Sequence, residues 1–196
     1  MQLSINRESL LKAINLIAKA ADKRHNMVIL GNIKLQLSES ELILTASDLE
    51  VELTSILKSP AGACEEAGTT TLPAMKLKDI CKSLPAQAQV NLSTKDNERC
   101  LLTSGKSRFT LGTLPSDDYP SLGNPDNVHA LTISRSRLID LIHKTQFAMA
   151  IQDVRYYLTR MPFDVGQQQL NTVATDGHRL ALARNVNEID SDGNEQ

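Results

Sequence analysis

Leu42-Ile43-Leu44-Thr45-Ala46-Ser47-Asp48 returns 128 residues later as Leu170-Asn171-Thr172-Val173-Ala174-Thr175-Asp176. Leu42, Leu44 and Ala46 recur at the period of two that marks one face of a strand. Both copies end on a small hydroxyl residue and an aspartate, side chains that hydrogen-bond their own backbone in turns. Working outward, residues 2–48 slide onto 130–176 without a gap, and ten of the 47 positions are identical. The identities include Leu3/Leu131, Ile5/Ile133, Arg7/Arg135, Leu10/Leu138, Ile14/Ile142 and Leu30/Leu158, and Ile33-Leu35-Leu37 lands on Met161-Phe163-Val165. Past the aspartate, one extra residue in the second copy keeps Leu180 and Leu182 in phase with Val51 and Leu53. The matches fall on strand faces, a helix stripe and turns, so the reading is a duplicated domain.

The first copy has internal order of its own. Leu3 and Ile5 read as a short strand. From Arg7 to about Ala21 the period becomes helical, with Leu10, Ile14, Ile17 and Ala21 on one stripe and Asn6 as the N-cap. Three alternating stretches follow: Ile33-Leu35-Leu37, Leu42-Leu44-Ala46 and Leu49-Val51-Leu53. After the Pro- and Gly-containing stretch 59–68 the pattern restarts. Thr69–Leu72 is a strand, and Pro73 opens a helix bearing Leu77, Ile80, Cys81 and Leu84 that Pro85 stops. Val90-Leu92, Cys100-Leu102 and Phe109-Leu111 complete it. The expected fold is therefore α+β, with repeated β-α-β-β-β units and helices on one face of antiparallel sheets. The expected domains are 1–116, a linker over 117–129 whose composition is turn-forming, and 130–196. The second contains only half the pattern of the first, which predicts an uncovered sheet edge and helix face and a chain that is cut short. Asn187 to Gln196 reads as a polar tail.

Composition excludes several function classes. Of the 196 residues three are cysteine, at 64, 81 and 100, and the four histidines are scattered. With neither CxxC nor HExxH present, a disulfide framework and a metal site are not expected. GxGxxG and GxxxxGK[ST] are missing too, so no cofactor is indicated. No run approaches a membrane span and no secretory signal opens the chain, which points to the cytosol and away from a membrane. Aromatics are 3% and Trp is absent, too few for a base-stacking platform.

Net charge is −2, but it is segregated: the predicted helices 7–24, 74–84 and 135–150 carry +3, +2 and +2, leaving −9 elsewhere. A positive helix layer without aromatics would hold a phosphate backbone without reading bases; the plain alternative is lysines solvating exposed helix faces. Asp176, His178 and Arg179 admit an enzyme reading, but residues two apart on a strand form no relay, and Asp48 has no matching His. A scaffold without a DNA role is the third class. Phe147 stands opposite Leu138 on its helical wheel, so either the helix ends before it or it packs outside its own unit.

Further stretches join the repeat: Ile29-Leu30-Gly31-Asn32, Thr45-Ala46-Ser47-Asp48-Leu49-Glu50, Ser104-Gly105-Lys106-Ser107-Arg108-Phe109 and Leu114-Pro115-Ser116-Asp117-Asp118-Tyr119-Pro120. The most specific are Gln152-Asp153-Val154-Arg155-Tyr156-Tyr157-Leu158 and Val173-Ala174-Thr175-Asp176-Gly177-His178-Arg179-Leu180-Ala181. Together, from residue 1 to about 184, they resemble the bacterial sliding clamp family, the β subunit of DNA polymerase III. The resemblance implies a homodimeric ring of three similar domains per full chain, helices lining the hole, non-catalytic, sliding on duplex DNA. It implies as partners the polymerase III catalytic subunit, the clamp loader and other proteins with a clamp-binding motif. It places Arg24 and Gln152 at DNA, with Lys76 where the family often has a basic pair (here Met75-Lys76). It assigns Leu158, Thr175, Gly177, His178, Arg179 and Leu180 to a peptide pocket, and Ile80, Leu84, Phe109 and Leu111 to a dimer contact with a third domain. Without the resemblance, Leu158, Leu180 and those four read as core.

Overall fold

A computed structural model of the chain describes residues 1–21, 26–58, 64–96, 98–123, 132–166 and 169–186. Arg24 and the tail from residue 187 lie outside the described residues. The chain divides into two compact units, Met1–Asn124 and Pro125–Gln196. No helix among the described residues is long and apolar enough to cross a membrane.

In the first unit the order is β1 (Gln2–Asn6), α1 (Arg7–Ile17), β2 (Asn32–Leu37), β3 (Glu41–Ser47), β4 (Glu52–Lys58), β5 (Cys64–Glu66), β6 (Gly68–Pro73), α2 (Ala74–Ser83), β7 (Gln89–Asp96), β8 (Arg99–Ser104) and β9 (Ser107–Gly112). The expected succession of two strand-helix-three-strand halves is present. The halves are not separate sheets, however: each lends its first strand to the other. One antiparallel sheet runs β5-β1-β7-β8-β9 and the other β4-β3-β2-β6. Ile5 lies opposite Val90 in one, and Leu72 opposite Ile33 in the other.

Both sheets and both helices close on one core, in which Leu10, Ile14, Ile33, Leu35, Leu72, Leu77, Leu92 and Leu102 are fully buried. Each such side chain contributes roughly 1.5–3 kcal/mol relative to exposure. Asn6 caps α1 as expected, its Oδ1 accepting from the amides of Glu8 at 2.8 Å and Ser9 at 3.4 Å. The helix ends at Ile17 rather than Ala21. Arg7 joins the halves directly, donating from Nε to the Cys81 carbonyl at 2.6 Å and from Nη2 to that of Lys82 at 3.2 Å, at the C-terminal end of α2.

Three local expectations change. Leu49 and Val51 belong to a turn, not to a strand: Leu49 takes φ +74° and β4 begins at Glu52. Within the stretch 59–68, Cys64–Glu66 forms β5 on the outer edge of β1, and Glu66 lies 3.6 Å from the N-terminal ammonium. The stretch read as linker from 117 is held at its start by Tyr119, which is buried. Its hydroxyl accepts from the Ser47 amide at 3.1 Å and donates to the Asn32 carbonyl at 3.2 Å. Burial pushes this phenol above its ordinary pKa, against the lowering effect of the Ser47 amide.

The second unit contains α3 (Arg135–Thr145), β10 (Phe163–Val165), β11 (Gln169–Thr175) and β12 (Leu180–Val186), with sheet order β10-β11-β12. Thr145 ends α3, donating back to the Leu141 carbonyl at 2.9 Å. A 3-10 turn, Gln146–Ala148, follows. Phe147 therefore lies past the helix, exposed, with the Arg179 guanidinium 5.8 Å from its ring centroid. The inferred extra residue after Asp176 is not there. Ala174 pairs with Ala181 as Ala46 pairs with Leu53, at an unbroken offset. Ala181 and Ala183 consequently face the core, while Leu180 and Leu182 are exposed on the other face. Matching leucines by type had shifted the phase by one residue, which in a strand exchanges the two faces.

Replacing Tyr119 by Phe leaves the Ser47 amide and the Asn32 carbonyl buried without this partner, a loss of about 1–3 kcal/mol. Urea unfolding of Tyr119→Phe followed by far-ultraviolet circular dichroism should show that loss in the first unit; an unchanged midpoint would mean the hydroxyl anchors nothing.

Candidate functional site

The candidate site is built from two loops of the second unit. One runs from residue 149 to 162 and is folded back on itself. The Ala150 amide donates to the Leu158 carbonyl at 3.0 Å, and the Leu158 amide to that of Arg155 at 2.9 Å. This buries Leu158 beneath the loop. Gln152 turns the chain at φ +58°. Asp153 then fixes Arg155 three ways: its Oδ1 accepts from the Arg155 amide at 2.8 Å and Nε at 3.0 Å, and its Oδ2 from Nη2 at 2.8 Å. The side-chain hydrogen bond from Arg155, then its amide, hold the Asp153 carboxyl at about 2.

The other loop is the turn between β11 and β12. The Thr175 hydroxyl accepts from the Gly177 amide at 3.1 Å and donates to the Arg179 carbonyl at 2.8 Å. Asp176 Oδ1 accepts from the amides of His178 at 2.9 Å and Arg179 at 3.0 Å, and Oδ2 from Arg179 Nε at 2.9 Å. The His178 and Arg179 amides are the main causes that lower the Asp176 carboxyl to about 2. The turn between β3 and β4 repeats these backbone contacts. There Ser47 Oγ accepts from the Leu49 amide at 3.1 Å, and Asp48 Oδ1 from those of Glu50 at 3.0 Å and Val51 at 2.7 Å. Gly177, at φ +88°, occupies the place of Leu49. The duplicated aspartate is thus a turn-forming residue in both copies, and its carboxylate is taken up by amides rather than by the His178 ring.

Between the loops lies an open recess of about 340 Å³, walled by Met149, Ala150 and Ile151 on the apolar side and by Asp153, Arg155, Asp176, His178 and Arg179 on the polar side. The Arg155 guanidinium spans it, its nearer nitrogen 3.6 Å from where a Cβ on Gly177 would stand. Two ionised carboxylates offset two guanidinium groups, so the wall is polar, preorganised and close to neutral. Beside it the surface is unusually apolar: Ile151 is 90% and Val154 98% exposed. Tyr156 and Tyr157, also exposed, meet edge to face with centroids 6.1 Å apart. Large exposed side chains beside a fixed polar wall suit a short peptide held by a few anchors.

The sequence-derived pocket residues separate into three roles. His178 and Arg179 line the recess, Thr175 and Gly177 shape the turn behind it, and Leu158 lies under the opposite loop. Leu180 is exposed beyond the recess on β12. Gln152 is exposed in the first loop, and Lys76 is exposed on α2 of the other unit. Leu84 and Leu111 are buried in the core of the first unit, with Ile80 and Phe109 half-buried against it. Asp153 and Arg155, which fix the recess, were not singled out from sequence. The signal was their spacing of two across a turn, which admits a bidentate pair.

Comparison with known proteins follows the same lines. The family described as "DNA polymerase III beta subunit, N-terminal domain" matches residues 1–123, and that described as "DNA polymerase III beta subunit, central domain" matches residues 132–196. The "Beta sliding clamp" of Pseudomonas putida is 44% identical over 184 residues, covering 93% of this chain and 49% of the relative. That of Escherichia coli K12 is 42% identical over the same coverage. The crystal structure of the DNA polymerase III subunit beta from Pseudomonas aeruginosa superposes with a TM-score of 0.89 at 41% identity, covering 98% of this chain and 51% of that one. A Pseudomonas aeruginosa sliding clamp bound to griselimycin gives 0.89 at 42%, covering 97% and 51%. The chain spans about half the length of these relatives.

Because its native pKa is depressed below the ordinary 3.8, the Asp176 turn keeps its full contribution above about pH 4 and loses it as pH falls toward 2. Carboxyl-carbon NMR should place the Asp176 midpoint near 2. A midpoint near 4 would mean that the two amides do not hold the carboxylate.

Proposed function

The chain belongs to the DNA polymerase III beta subunit family, and on that premise we propose that it supplies the first domain and the leading half of the second domain of a processivity ring for the replicative polymerase. The ring encircles duplex DNA in the cytoplasm, performs no chemistry, and tethers the polymerase catalytic subunit, the clamp loader and other proteins carrying a short binding motif. Closure around the duplex takes the place of affinity. Contacts to phosphate need only be weak and free of base reading, because strong or specific ones would arrest sliding.

The observation that carries this reading is the outward face of the helices. α1 and α2 share one core and contact each other, and they turn Lys12, Lys76 and Lys82 to solvent. Glu8 on α1 and Asp79 on α2 are exposed as well, so the exposed lysines of the two helices outnumber the exposed acids three to two, while Glu50 and Glu98 stand on turns of the strands. Arg24, Gln152 and Lys76 are the proposed DNA contacts. Ile80, Leu84, Phe109 and Leu111 are the proposed dimer contact, made with a domain beyond this chain. Leu158, Thr175, Gly177, His178, Arg179 and Leu180 are the proposed peptide pocket; Arg155, held over Gly177, completes its wall.

The test uses the 196-residue chain and a labelled duplex, read by fluorescence anisotropy as salt is raised. Binding should be weak, equal for unrelated sequences, and linear in log K against log salt. Lys12→Ala and Lys76→Ala should each make the slope shallower by about one. A salt-independent signal, or a preference for one base sequence, would overturn the reading.

A further inference from the structure

Two guanidinium groups stand in the wall of the recess, and their hydrogen bonds are spent differently. Arg155 is taken up by its neighbour, with Nε and Nη2 both donating to Asp153, at 3.0 and 2.8 Å. Arg179 gives Asp176 only its Nε, at 2.9 Å. The Asp176 carboxylate is held down first by the amides of His178 and Arg179, and by the Arg179 side chain only after them. Nη1 and Nη2 of Arg179 make no hydrogen bond among the described residues. The fork end of this guanidinium is therefore open, in a wall whose carboxylates are already satisfied.

Phe147 restrains the exposed arginine. The Arg179 guanidinium lies over its ring, 5.8 Å from the centroid, within the range of a cation–π contact. Such a contact uses the ring face and consumes no N–H donor. Asp176 fixes the arginine at Nε and the ring fixes its far end, so the fork is preorganised at no cost in donors. Core packing does not account for this phenylalanine. It is 58% exposed and stands outside the apolar clusters of the second unit.

The repeat gives a second, independent sign. At the offset of 128, Phe147 and Arg179 match Lys19 and Val51, and Arg155 and Gly177 match Met27 and Leu49. The first copy makes the same aspartate turn with neither arginine and without the ring. Ring and arginine occur together, in the copy that has the recess.

We propose that Phe147 is a positioning residue of the recess: its ring holds the Arg179 guanidinium so that Nη1 and Nη2 receive a carboxylate of a bound peptide, from an acidic side chain or a C-terminus. The inference rests on the recess being the peptide pocket. Apolar residues of the peptide rest on Met149, Ala150 and Ile151, which form the other wall. A carboxylate is favoured over a single carbonyl because the planar fork meets both of its oxygens at once. Since the wall as a whole is close to neutral, the selection comes from these hydrogen bonds at contact rather than from a long-range field.

The test titrates peptide probes into the isotope-labelled 196-residue chain and follows the His178 and Arg179 amides and the Arg179 Nε–H signal by NMR. The probes are acetyl-trileucine with a free carboxylate, the same peptide closed as its C-terminal amide, and acetyl-aspartyl-dileucine amide. A carboxylate probe should bind more tightly than trileucine amide by about fivefold, the worth of an exposed ion pair of good geometry. The tighter of the two carboxylate probes identifies the source of the group. Phe147→Leu alters an exposed side chain, so it should leave the amide spectrum of the fold intact while abolishing the preference. Phe147→Tyr keeps the ring face and should restore it. Arg179→Lys keeps the charge without the fork and should abolish it. Equal affinity of the acid and amide probes for the unaltered chain overturns the carboxylate assignment. A preference that survives Phe147→Leu overturns the role of the ring. If no probe moves the recess signals at all, the peptide-pocket reading itself fails, and the inference falls with it.

Discussion

The exchange of first strands is the constraint on which the first unit rests. A strand-helix-three-strand half can satisfy its hydrogen bonds and cover its helix only with a second half present. Ile5 against Val90 and Leu72 against Ile33 are contacts separated by tens of residues in sequence, yet they decide whether either sheet has a complete edge. Arg7 reinforces the same joint from the helix side. The core is therefore one body with two local origins, and its burial cannot be divided between them. The second unit, built from similar residues, buries its equivalents less: Phe163 and Val165 are 46% and 57% exposed, where Leu35 and Leu37 are 0% and 5%.

Local structure was legible because period and capping chemistry are local. The stripe Leu10-Ile14-Ile17 and the cap at Asn6 specify α1 without outside help. The stop at Pro85 and the alternation of β2, β3, β7, β8 and β9 are of the same kind. The exchange was not legible, since nothing in Leu3 or Leu72 says which of several apolar strands each will join. Identity of residue type also misled where phase was at stake. Leu180 and Leu182 look like core, yet the hydrogen-bonded turn before them places Ala181 and Ala183 inward. Backbone geometry of the turn overrode the attraction of matching leucines. β5 was hidden for another reason: its Glu65 and Glu66 are exposed on an edge strand, where no apolar period is required.

At the candidate site, the turn was visible in the sequence as Thr-Asp-Gly but its partner loop was not. Asp153 and Arg155 act on it through space, and only the folded loop brings Arg155 beside Gly177. The exposed pair Tyr156 and Tyr157 sits in a motif that sequence marked as specific without saying why. Its exposure beside a fixed polar wall supplies the physical content.

The two copies of the turn show how one scaffold can acquire a site at little structural cost. Its hydrogen bonds are made by backbone amides, a hydroxyl and one aspartate, in both copies. The remaining positions are therefore free to vary. In the first copy they hold Leu49 and Glu50, and in the second Gly177 and His178. At position 177 the left-handed backbone favours glycine, yet the first copy keeps the same turn with leucine at φ +74°. Conformation alone thus does not demand the glycine. What glycine adds is space. The Arg155 guanidinium lies 3.6 Å from where a first side-chain carbon would stand, an ordinary contact, so a longer side chain directed the same way would crowd it. The glycine of the second copy is best understood as admitting the arginine that closes the wall of the recess, and the shared aspartate as holding the turn in place while the neighbouring side chains change.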